Sequence, residues 1–210
     1  MRPELALIVE GDCEYDCFPS FIAKIFEGSY FVPISNAEGH GNIVRNIDKL
    51  LRPLVKNIQP KNIIITLDTR EAIRENLVQN CVELKELIEK NVDDWLNGQA
   101  ESDLKDSLPN SIRVVIQDKT YDTWLISDLN GLKNSEYIDE AKINEEFDNV
   151  DLDIPNPNAW LKNKLKPNVN MKRKGLRKKI GSCINPLVGA TKSRSLRKFV
   201  KEINLNKPVY

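Results

Sequence analysis

Leu5-Ala6-Leu7-Ile8-Val9-Glu10-Gly11 is an apolar run that ends abruptly in a carboxylate and a glycine. A second run, Ile63-Ile64-Ile65-Thr66-Leu67-Asp68, ends the same way. Short runs of this kind, rich in Ile and Val and bounded by charged or turn residues, have the pattern of parallel strands buried on both faces. In open α/β sheets, ligands bind outside the carboxyl ends of such strands. Two acids delivered to one sheet edge make a hard, oxygen-rich site suited to Mg²⁺ or Mn²⁺ rather than to zinc. That combination points to phosphate chemistry.

The sequence on either side fits an alternating order of strands and helices. Residues 12–26 carry apolar side chains at helical spacing (Cys13, Cys17, Phe18, Phe21, Ile22, Ile25), with Asp12 and Glu14 in the first turn where the helix dipole favours anions. A strand is predicted over 30–34, followed by a turn-rich loop, Asn36 to Asn42, and a helix over 43–55 closed by Pro53. After the strand at 63–67 comes a long helical region, about 71–95, then a polar connection over 97–109 and a fourth strand over 112–116. Thr123 to Leu129 starts a helix or a capped turn. Strands alternating with helices imply crossover connections and a parallel sheet with helices on both faces.

Beyond Gly131 the pattern gives way to an acidic linker, 139–153. A short helix over 159–164 follows, capped by Asn156 or Asn158, and then basic helical segments ending in a helix over 193–203. The expected organisation is an α/β domain over 1–135 and a basic, mainly helical region over 136–210. At 210 residues the chain is one domain of ordinary size, or one with a C-terminal extension, and can bury a real core. It contains no apolar run of about 18 residues, and its first residues lead into a strand instead of a secretory signal, so a cytoplasmic location without membrane insertion is expected. The four cysteines form no Cys-x-x-Cys pair and His40 is the sole histidine, which disfavours zinc, a disulfide framework and a Cys-His or Ser-His nucleophile.

The formal charge of zero is an average over two unlike parts. Residues 1–153 hold 30 acids and 16 bases, whereas residues 154–201 hold 14 bases and no acid. Asymmetry of this kind marks a polyanion partner or a basic face that neutralises the acidic part within the fold. Lys172, Arg173, Lys174, Arg177, Lys178, Lys179, Lys192, Arg194 and Arg197 are the candidate nucleic-acid contacts. They suit backbone phosphates, which give affinity without sequence readout.

Val9-Glu10-Gly11-x-x-Glu14 after a first strand, with Leu67-Asp68 ending a later one, resembles the TOPRIM domain shared by topoisomerases, bacterial primases and OLD-family nucleases. Three further stretches narrow the resemblance. Tyr121-Asp122-Thr123-Trp124-Leu125-Ile126-Ser127-Asp128 looks like the Glu-x-Trp-Leu-Leu-Ala-Asp signature of an uncharacterised TOPRIM-like family often encoded beside ATPases in bacterial defence loci. Gly39-His40-Gly41-Asn42 matches that family's glycine loop, and Ser193-Arg194-Ser195-Leu196-Arg197-Lys198-Phe199 matches its C-terminal helix. The resemblance implies a TOPRIM-like, Rossmann-like sheet. It implies that Glu10 is a general acid or base and that Asp68 is the first aspartate of an Asp-x-Asp metal motif whose second position is Arg70 here. Asp122 stands where the family carries glutamate.

Phosphodiester cleavage requires charge neutralisation at the scissile phosphate, a positioned water and protonation of the leaving oxygen. Glu10, Asp68 and Asp122 are accordingly the expected catalytic and metal-binding residues for Mg²⁺ or Mn²⁺. Glu14 and Glu71 are auxiliary ligands, and Glu71 is a substitute for the missing aspartate. Arg70 either ion-pairs with these acids and silences the site or points at a phosphate. Asp128 is expected as an N-cap or ion-pair partner and Trp124 as packing. The functional expectation is a metal-dependent nuclease acting with a partner ATPase in defence. The alternatives are an inactive scaffold binding nucleic acid or an ATPase, and a toxin-like effector held inactive by that ATPase.

Overall fold

The computed structural model describes residues 2–28, 30–99 and 102–207. Among them the chain runs β1 (Leu5–Val9), α1 (Asp12–Phe26), β2 (Ile34–Asn36), α2 (His40–Arg45), α3 (Ile47–Asn57), β3 (Asn62–Asp68), α4 (Arg70–Arg74), α5 (Cys81–Gly98) and β4 (Ser111–Gln117). It continues through α6 (Tyr121–Ile126), α7 (Leu129–Lys133), α8 (Val150–Asp153), α9 (Pro157–Asn163), α10 (Leu176–Cys183), α11 (Pro186–Lys192) and α12 (Arg194–Leu205). The strands form one parallel sheet in the order β2-β1-β3-β4, flanked by helices, and the fold is α/β of Rossmann-like class.

The chain divides into two compact units, one of residues 1–15, 31–116 and 205–210, the other of 16–30 and 117–204. The first unit is the sheet unit. Ala6, Ile8, Ile63, Ile65, Leu67, Val114 and Ile116 share a core with Ile43, Leu51, Leu54 and Val55 of α2 and α3 and with Leu84, Ile88, Val92 and Trp95 of α5. The alternate strand residues Leu5, Leu7, Val9, Ile64 and Thr66 are equally buried. This two-sided burial is why β1 and β3 read as continuous apolar runs. β1 pairs with β2 on one side (Leu7 with Ile34) and with β3 on the other (Val9 with Thr66).

Three local expectations are corrected. The second strand starts at Ile34 and ends at Asn36, not over 30–34. Phe31 is exposed, and Pro33 has no N–H for the ladder although its carbonyl accepts from the Leu7 N–H at 2.9 Å. The helix expected over 43–55 is two helices broken at Asn46, and Pro53 lies inside α3 instead of ending it. The long helix expected over 71–95 is likewise split. α4 ends at Arg74, and α5 begins behind Asn80, whose side chain accepts from the N–H groups of Val82 and Glu83.

The second unit is built around aromatic rings. Phe18 stacks on Trp124 with centroids 5.9 Å apart, and Phe199 packs on both, at 4.9 and 5.0 Å. Trp124 is fully buried and donates its indole N–H to Ser195 Oγ at 2.8 Å. Asp128 caps α7, accepting from the Gly131 N–H at 3.0 Å, and its other oxygen accepts from the Asn185 N–H at 2.8 Å. Helix α11 is started by Asn185 and Pro186. Asn156 supplies the cap of α9. No helix among the described residues is long and apolar enough to cross a membrane.

Candidate active site at the sheet edge

In the order β2-β1-β3-β4, the chain leaves β1 toward β2 on one side and β3 on the other. The carboxyl ends of β1 and β3 therefore flank the topological switch point, where open α/β sheets place their ligands. Glu10 directly follows β1 and Asp68 is the last residue of β3. With Val9 level with Thr66, the two acids emerge side by side. The Asp68 N–H donates to Glu10 Oε2 at 2.9 Å, and Asp68 Oδ1 accepts from the Arg70 N–H at 2.9 Å, which turns the chain into α4. Asp68 is buried, as is Glu14 in the first turn of α1.

The loop after β2 closes onto the same edge. The Ala37 N–H donates to the Val9 carbonyl at 2.9 Å and the Gly39 N–H to the Glu10 carbonyl at 2.8 Å. Gly39 has φ +119°, a conformation in which an L side chain is strained. Asn36 Nδ2 donates to Asp12 Oδ1 at 2.7 Å, joining this loop to the start of α1. His40 faces Glu75, as does Arg45, whose guanidinium lies 2.5 Å from that carboxylate.

Burial, then the charge of Asp68, push the Glu10 carboxyl up to about 8. Glu14 adds to the repulsion, while the hydrogen bond from the Asp68 N–H and the Arg70 charge act the other way. Glu10 consequently holds a proton at neutral pH in the absence of a cation. A buried cluster of mutually repelling carboxylates is a donor set that a hard divalent cation would neutralise. Mg²⁺ in particular is bound through one or two carboxylates, waters and substrate phosphates rather than by an all-protein cage. Among the described residues no group of three or more His, Cys, Asp or Glu is arranged to hold a metal ion. A cation at this edge would therefore need waters or substrate oxygens, beside the strand-end carboxylates, to complete its shell.

The carboxylate of Glu71, expected to substitute for the missing aspartate, is engaged by Arg70 Nε at 3.3 Å and by Arg74. Asp122 belongs to the second unit, where it is buried and both its oxygens are held. Arg177 grips it with Nε at 2.7 Å and Nη2 at 3.1 Å, and Asn158 Nδ2 donates to it at 2.9 Å. Nothing in the sequence links Asp122 to Asn158 or Arg177, 36 and 55 residues away. Breaking a buried pair leaves an uncompensated charge, so Asp122→Asn should cost about 3 kcal/mol of stability. Calorimetric melts would measure this loss.

The candidate nucleic-acid contacts fall into two sets. Arg173 and Lys179 lie over the Tyr137 ring, 5.4 and 5.2 Å from its centroid, and Lys179 also donates to the Tyr137 hydroxyl at 2.7 Å. Arg177 holds Asp122, Lys178 lies 3.7 Å from Asp16, and Lys192 lies 3.9 Å from Asp148. Lys172, Lys174, Arg194 and Arg197 are exposed.

Fold and edge together define an α/β protein of Rossmann-like class with paired carboxylates at its switch point. No family model, curated protein or solved structure matches the chain.

Proposed function

We propose that this chain is a TOPRIM-type hydrolase of nucleic-acid phosphodiester bonds that depends on Mg²⁺ or Mn²⁺, with its centre at Glu10 and Asp68. The observation that carries the reading is the emergence of these two acids from adjacent parallel strands at the switch point of the sheet. A divalent cation held there supplies charge neutralisation at a phosphate and a more acidic water. Asp68, with Glu14 beside the pair, would hold the cation. Glu10 is the proton carrier, and the N–H groups of Asp68 and Arg70 fix the carboxylates in place. The exposed guanidinium of Arg70 is available to a substrate phosphate. A cytoplasmic location and a role in bacterial defence beside an ATPase are part of the same proposal. These 210 residues contain no Gly-x-x-x-x-Gly-Lys-Ser/Thr loop, so ATP dependence would come from outside them.

A second reading, an inactive scaffold, is favoured by one arrangement. Arg70 occupies the position of the second aspartate, and Glu71 is engaged by Arg70 and Arg74. Calorimetric titration with Mn²⁺, followed by cleavage assays on DNA and RNA, separates the two. The expected result is binding by the wild type, loss of at least about tenfold in affinity in Asp68→Asn, and loss of cleavage in the same variant. Equal Mn²⁺ binding by both chains would move the site elsewhere. Nucleic-acid binding without turnover at any Mn²⁺ or Mg²⁺ concentration would establish the scaffold.

A further inference from the structure

Arg194, Arg197, Lys198 and Lys201 fall at i, i+3, i+4 and i+7 of α12 and so share one helical face. All four are exposed, whereas Ser195, Leu196, Phe199, Val200 and Ile203 on the other side of the helix are buried. The row is about 10 Å long at 1.5 Å per residue. Among the described residues, no carboxylate lies within ion-pairing distance of Arg197, Lys198 or Lys201. Arg194 is close enough to the half-buried Asp118 to offset part of that carboxyl's upward shift. Glu202, the one acid of the helix, is half-buried at the margin of the row. The block 172–179 is different, because Arg173, Arg177, Lys178 and Lys179 have partners within their own unit.

We propose that this row on α12 is the docking surface for the sugar–phosphate backbone of a nucleic acid, held by charge without base readout. It rests on the phosphodiester reading above and moves the contact surface from the 172–179 block to α12, adding Lys198 and Lys201. One strand of a duplex presents a charge about every 3.4 Å along the axis, so the row spans about three successive phosphates. A membrane surface fits less well. A basic amphipathic helix binds lipid by burying its apolar face in the interface, and that face of α12 is already inside the protein.

Fluorescence anisotropy with labelled single- and double-stranded DNA and single-stranded RNA, in EDTA, tests the surface apart from catalysis. Charge reversal at Arg197, Lys198 and Lys201 together should weaken binding at least about tenfold and lower the salt slope by about 3. The same three positions changed to Gln should act in the same direction. Lys85→Gln with Lys90→Gln, on α5 where each lysine faces an acid of its own helix, is the control and should change affinity less than about twofold. Circular dichroism checks that the variants stay folded. Tight binding in EDTA through α12 by a chain that never cleaves would uphold the surface while removing the hydrolase reading. Failure of the wild type to bind any oligonucleotide would overturn the proposal, as would equal loss in the control. So would α12-dependent binding confined to phosphatidylserine vesicles.

Discussion

Replacing Glu10 by Gln should make the protein more stable above pH 8 and leave it nearly unchanged at pH 5. In an unfolded chain the Glu10 carboxyl titrates near 4.5, whereas burial and the neighbouring Asp68 raise it to about 8 in the folded protein. Between those values the folded state holds a proton that the unfolded state has lost. Stability contributed at this position is therefore complete below about pH 4.5 and is lost as pH rises through about 8. The displacement corresponds to at most about 5 kcal/mol. Glu10 is half-buried, and water access brings the expected effect to on the order of 2–3 kcal/mol. Gln has the same shape as the protonated acid, and its carbonyl still accepts from the Asp68 N–H, so the substitution removes the titration and keeps the hydrogen bond. The measurement is calorimetric melting of both chains in EDTA from pH 5 to 9. The wild-type curve should fall relative to the Glu10→Gln curve from about pH 5 and level off above about pH 8. Parallel curves would mean that Glu10 is ionised and solvated across the range. Added Mn²⁺ at pH 8.5 should stabilise the wild type by mass action and the Gln variant less, since Asp68 and Glu14 remain while the Glu10 charge is gone.

This edge was legible in the sequence because its signals are local. An apolar run stopped by Glu10-Gly11, and another stopped by Asp68, name two strands, their burial and the acids at their ends within a few residues. The apolar spacing of 12–26 and the Ile-Val run of β4 are equally local. Errors arose where a local rule met tertiary context: Pro53 fits inside α3, and Pro33 displaces the pairing of β2 toward Asn36. Glu71 illustrates the limit for the site. Its place beside Asp68 suggested a ligand, but Arg70 and Arg74 compete for it through the helix geometry of α4, where i and i+3 side chains meet. Asp122 and Arg177 lie 55 residues apart, and no spacing rule connects them. The cation row of α12 was within reach, since i, i+3, i+4 and i+7 can be counted in 194–201. It was hidden by the denser block at 172–179, where only the folded chain shows Arg173, Arg177, Lys178 and Lys179 to be partnered.

Asp151 should prove the most destabilising acid to alter in the second unit, although it lies in what reads as a solvated acidic linker. It is 2 % exposed. Its Oδ1 accepts from the Ser193 hydroxyl at 2.7 Å and from the Ser195 hydroxyl at 3.3 Å, and its Oδ2 accepts from the Ser195 N–H at 2.9 Å. Ser193 Oγ in turn accepts from the Leu196 N–H at 3.1 Å, capping α12, and Ser195 Oγ accepts from the Trp124 indole. One carboxylate thereby ties α6, α8 and α12 together and offers negative charge to the N-terminus of α12. Asn at this position offers only one acceptor oxygen: with that oxygen on the Ser195 N–H, its N–H₂ faces the Ser193 and Ser195 hydroxyls, which must turn to accept, and one hydroxyl proton is left without an acceptor. A buried donor left unsatisfied costs about 1–3 kcal/mol, and the lost charge-assisted bonds bring the expected destabilisation of Asp151→Asn to about 3–5 kcal/mol. Ser193→Ala, which removes only the cap and one hydroxyl, should cost about 1 kcal/mol. Urea melts followed by the near-ultraviolet signal of the Trp124 cluster measure both. A separate readout is Asp118, whose carboxyl is raised first by burial and then by the charge of Asp151. In a folded Asp151→Asn protein, the Asp118 titration seen by NMR should move back toward the ordinary aspartate range. A cost under about 1 kcal/mol with Asp118 unmoved would mean that Asp151 is solvated and that α12 is held by its apolar face alone.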